Sequence, residues 1–102
     1  MVNTTFSYTT ENMDFLEKNG FYIGNRHFMI MLASDINTRD GLGWQLVEIV
    51  SNELVLILEI FRHDDLKEME FVTYSPISIP FKALEFIVND FSSKGGRDFI
   101  ID

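Results

Sequence analysis

A chain of 102 residues with 16 Asp and Glu against 8 Lys and Arg, and with no cysteine, has the length of one domain, spanning 1–102. The missing cysteines exclude a disulfide framework, a Cys-based zinc site and a thiol nucleophile. The net charge of −8 argues against duplex nucleic acid, whose affinity rests on Lys and Arg at phosphates, while 46 % apolar residues, ten of them Phe, exclude a disordered chain.

The N-terminal stretch has no basic n-region and no apolar h-region, so no signal peptide is read and a cytoplasmic location is expected. Residues 10–19 (TENMDFLEKN) suit a short helix, with Thr10 as cap and Asn19-Gly20 as stop. Residues 21–33 (FYIGNRHFMIMLA) suit a strand with an irregularity near Gly24-Asn25. Met29–Ala33 would equally suit a buried helix, and periodicity does not decide over so short a run. Residues 34–43 form a loop dense in turn formers.

Three strands follow: Gly43–Val50, Glu53–Arg62 and Glu68–Tyr74, joined by turns at Ser51-Asn52 and His63–Leu66. The longest apolar run, Leu54–Phe61, is interrupted by Glu59 and is far too short for a membrane span, so no membrane partner is expected. From Pro80 to Ser93 the spacing of Phe81, Leu84, Ile87, Val88 and Phe91 predicts an amphipathic helix, capped by Ser78 and stopped by Lys94-Gly95-Gly96. The fold expected is α+β: an antiparallel meander of about four strands, a C-terminal helix packed on one face and a short N-terminal helix.

The turns predict a register. Ile49 faces Leu54, Val47 faces Leu56 and Gln45 faces Leu58; Leu58 then faces Phe71 and Ile60 faces Met69. One face carries Val47, Ile49, Leu54, Leu56, Leu58, Ile60, Met69 and Phe71, and the helix is expected on it. The other mixes Trp44, Leu46, Val55, Ile57, Phe61, Val72 and Tyr74 with Glu48, Glu53, Glu59, Glu68 and Glu70, and sets Glu59 opposite Glu70.

That second face reads either as half covered by the N-terminal segment or as an interaction surface. In the latter, Trp44, Phe61 and Tyr74 would be anchors and Glu48, Glu59 and Glu70 an acidic rim. The expected function is non-catalytic binding of a basic protein, as by an inhibitor or immunity-type protein, or of a second copy of the chain. A small-ligand domain with a pocket between sheet and N-terminal segment is the alternative. An enzyme is not expected, since no nucleophile–base–orienter set or catalytic motif occurs and His27 and His63 are the sole imidazoles.

A single-strand nucleic-acid platform lacks cations, because Glu48–Glu70 holds seven acids against Arg62 and Lys67. No cofactor or metal is expected. His63-Asp64-Asp65 is a solvated turn, and Asp35–Gly41 departs from a calcium loop at Arg39 and at the position of its glycine.

Overall fold

The computed structural model describes residues 20–34 and 40–99, together with the strand Thr5–Ser7. Its elements are β1 (Thr5–Ser7), β2 (Phe21–Ile23), β3 (Arg26–Ala33), β4 (Gly41–Val50), β5 (Glu53–His63), β6 (Glu68–Thr73) and α1 (Phe81–Ser93). Strands β2 to β6 form a five-strand antiparallel meander, and α1 packs on one face of it over β4. β1 pairs with the first residues of β5, in line with β6, which pairs with the last. The short helix expected over residues 10–19 lies outside the described residues, as do residues 35–39 of the expected loop and residues 100–102, while Gly41 and Leu42, expected in that loop, begin β4.

Residues 21–33 resolve as a hairpin rather than one interrupted strand or a helix. Gly24 takes φ +63 in a two-residue loop closed by Ile23 and Arg26. The Ser51-Asn52 turn is also as expected: both residues have positive φ (50 and 65), and Val50 pairs with Glu53, the arrangement of a type I′ hairpin. Past this turn the expected register fails. Ile49–Leu54 and Val47–Leu56 pair, but the next pair is Leu46–Leu58, so Ile57 is an extra residue in β5. Side chains alternate along a strand, so one inserted residue reverses the face of everything beyond it.

The consequence is a redistribution of both faces. Gln45 meets Glu59 instead of Leu58. Leu58 and Ile60 join Phe28, Trp44 and Leu46 beneath the helix, against Ala83, Ile87 and Phe91. Val47, Leu54 and Leu56, expected under the helix, form a separate buried cluster with Met29, next to Ile49 and Tyr74. Each face of the sheet therefore has an apolar core of its own.

The β5–β6 register is two residues away from that expected. The loop is Asp64–Lys67, closed by His63 and Glu68, so Ile60 meets Phe71, Leu58 meets Thr73, and Glu59 meets Val72 instead of Glu70. The loop moves because Asp64 is held inward. Its carboxylate forms an ion pair with Arg62 (2.8 Å to Nε) and accepts a hydrogen bond from Arg62 Nη2 at 3.3 Å, its N–H donates to the Asp40 carbonyl at 2.8 Å, and its carbonyl accepts from Lys67 Nζ at 2.6 Å. Arg62 is buried as well, and its Nη1 donates to the Gly95 carbonyl at 3.0 Å, just past α1.

Helix α1 has no side-chain cap. Pro80 is the N-cap residue, and the Ser78 carbonyl instead accepts from Arg26 Nη1 at 2.8 Å. Its buried stripe is Ala83, Ile87 and Phe91 at i, i+4 and i+8, while Phe81, expected in that stripe, is 71 % exposed. The stop is as expected: Gly95 has φ +78, and the Gly96 N–H returns to the Phe91 carbonyl at 2.8 Å, a Schellman-type closure.

Candidate functional site

The bulge divides the six residues expected to meet a partner between the two faces. Trp44 and Glu48 lie on the helix face; Phe61, Tyr74, Glu59 and Glu70 lie on or toward the other. Trp44 is 1 % exposed, with its ring edge-on to Phe91 at 5.0 Å and the Arg62 guanidinium 5.9 Å from its centroid. A ring enclosed in this way stabilises the fold and offers no area to a second protein. Glu48 is tied in a two-pronged contact, receiving Arg26 Nε and Nη2 at 2.8 Å each. That hydrogen bond, and then the carboxylate charge, hold the Arg26 guanidinium above its ordinary pKa against the opposing effect of burial.

On the opposite face Phe61 and Glu59 are both 0 % exposed. Glu59 accepts from Gln45 Nε2 and from the Tyr74 hydroxyl, each at 3.1 Å. The space for its carboxylate comes from Gly43, where a β-carbon would collide with Glu59 Oε2 and Cδ. Glu70 is exposed, with Oε1 3.0 Å from His63 Nε2, and Tyr74 is half-buried. Glu59 and Tyr74 are thus brought together as a buried polar cluster, while Glu70 stands apart on β6.

Two side chains that do reach the surface, Met69 and Phe71, belong to the face on which the helix is expected. On β6, Met69 is 39 % and Phe71 is 58 % exposed. They face the helix side across from Arg62 and Ile60, and between them and α1 runs a groove of about 280 Å³ bordered by Ile60, Glu70, Val88, Phe91 and Arg97. Glu68 and Glu70 project from the other side of the same strand. Among the described residues β6 pairs with β5 alone, so its outer edge carries unpaired backbone groups. The EMEF alternation in the sequence already puts acid on one side and apolar groups on the other; what it does not reveal is that, among the described residues, the strand lies at the edge of the sheet.

A second cavity, about 440 Å³, lies between the β2–β3 edge and α1, where Phe21 stacks on Phe86 at 4.4 Å and Asp90 pairs with Lys94 at 2.9 Å. The pocket expected against the N-terminal segment lies outside the described residues. Among the described residues no group of three or more His, Asp or Glu is placed to hold a metal ion, and no helix is long and apolar enough to cross a membrane. Comparisons of this chain with protein-family models, with curated proteins and with solved structures found no match.

Proposed function

We propose that this is a non-catalytic protein-binding domain that uses the β6 edge and the adjoining groove, rather than Trp44 and Phe61, to hold a partner. The observation that carries this reading is the exposure of Met69 and Phe71 side by side on an edge strand. Exposed apolar groups beside unpaired backbone favour association with another chain. The acidic excess supports a basic partner, since opposite charge speeds encounter and rejects like-charged competitors. Self-association through the same edge is the poorer fit, because it sets two chains of net charge −8 against each other and brings Glu68 and Glu70 of both copies to one face.

The test is site-directed photo-crosslinking in the native cell. A photoreactive phenylalanine analogue at position 71 is expected to give a discrete protein adduct, whereas the same analogue at exposed Val50 gives none. Identical, diffuse labelling from both positions would defeat the reading.

A further inference from the structure

We infer, resting on that protein-binding reading, that the partner presents an extended segment alternating apolar with Lys or Arg residues, which joins β6 as an additional strand. Three features of β6 fix this chemistry. The first is its backbone. The Tyr74 N–H donates to the Ile57 carbonyl at 2.8 Å, and in an antiparallel ladder alternate residues turn their polar groups to the same neighbour. Continuing that alternation, Glu68, Glu70 and Val72 bond toward β5, while Met69, Phe71 and Thr73 turn their N–H and C=O outward. A strand added there gains main-chain hydrogen bonds, and its alternate side chains supply the specificity.

The second feature is the groove between β6 and α1, lined by Ile60, Met69, Phe71, Val88 and Phe91, with Glu70 and Arg97 also contributing to its lining. Every second side chain of an added strand falls on this side. An apolar one buries Met69 and Phe71, whereas a basic one would meet Arg97.

The third feature is the opposite side of β6. Glu68 and Glu70 are both exposed there, with His63 as the only imidazole against Glu70 among the described residues. The intervening side chains of the added strand project over these carboxylates, and Lys or Arg would pair with them. A segment that is apolar throughout or acidic in alternation satisfies one side only.

The experiment uses the full chain and a labelled, end-capped synthetic peptide of alternating Lys and Val, long enough to span the six residues of β6. Two controls accompany it: the same composition with the lysines in one block, and alternating Glu and Val. The alternating Lys–Val peptide is expected to bind and to protect the amides of Met69, Phe71 and Thr73 from hydrogen exchange. Affinity should fall about tenfold in Glu68→Gln/Glu70→Gln and be lost in Phe71→Ser. The inference is overturned if a control binds as tightly, if protection appears elsewhere, or if the chain itself sediments as a dimer with those amides protected. A discrete adduct at position 71 with no Lys–Val binding would overturn the partner's chemistry while leaving the protein-binding reading; loss of both would remove both.

Discussion

The carboxylate of Glu59 occupies the space that a β-carbon on Gly43 would need. The two residues sit on neighbouring strands, and with Gln45 and Tyr74 they complete a polar cluster inside the face opposite the helix. Gly43→Ala is therefore expected to cost about 1–3 kcal/mol, through displacement of a buried carboxylate and crowding of Phe61. In a Glu59→Ala background the same change should cost markedly less. A double-mutant cycle by urea denaturation measures that coupling, and strict additivity would show that the two sites do not interact.

Burial separates the aromatic residues by role. Trp44→Ala removes a ring packed against Phe91 and should destabilise by about 3–5 kcal/mol. Phe71→Ser acts on a ring open to water and should stay within about 0.5 kcal/mol. Denaturation midpoints of the two variants check the order.

Arg26 reaches from the start of β3 to Glu48 on β4 and to the Ser78 carbonyl ahead of α1. A lysine cannot reproduce the two-pronged contact and the third bond together, so Arg26→Lys is expected to lose about 1–2 kcal/mol. The raised pKa sets the sign: the stabilisation from the guanidinium is fully present below its unfolded value and fades only as pH rises through the folded one. Thermal melts of wild type and variant from neutral to moderately alkaline pH should therefore show no guanidinium-dependent loss.

Ser51 and Asn52 each hold a positive φ that costs a side-chain-bearing residue some energy. Replacing them by Asn and Gly, the pair favoured in this turn, should raise stability by about 0.5–1 kcal/mol with unchanged pairing of Val50 and Glu53. The transition midpoint, with cross-strand NMR contacts as a control for register, reads the result.

Inserting one residue between Leu46 and Val47 gives Ile57 a partner, which removes the bulge and restores the uninterrupted alternation. Leu58 and Ile60 would then point away from α1, and Glu59 and Arg62 would exchange faces, against both apolar clusters. The expected outcome is loss of near-ultraviolet circular dichroism and of a cooperative melt. An insertion variant that melts like the wild type would show that the bulge does not set the two faces.

The strands around Ser51-Asn52 and the terminal helix were legible because local chemistry dictates them: a two-residue turn between alternating runs, and an apolar stripe ended by Lys94-Gly95-Gly96. The extra residue at Ile57 was not, because Leu54–Leu58 is aliphatic throughout and tolerates either phase. The second loop misled for a different reason, since Asp64 is a common turn residue that here serves the buried Arg62. The bulge moves Trp44 and Glu48 away from Phe61 and Glu59, so the expected anchors do not form one surface, whereas the shift of the second loop only changes which residues of β6 lie opposite β5. The acid content of that surface was readable; which strand would be left at the edge depends on pairings between distant residues that no local pattern encodes.

Arg62 ties these levels together. Its partners come from the adjacent turn and, 33 positions later, from the carbonyl of Gly95 where the helix ends. Peeling the helix from the sheet would strip a hydrogen bond from a charge already withdrawn from water, and opening the β5–β6 turn would do the same from the other end. Neither part can fray cheaply on its own. Sheet and helix should accordingly lose structure in one cooperative transition, with circular dichroism and the fluorescence of Trp44 following a single curve.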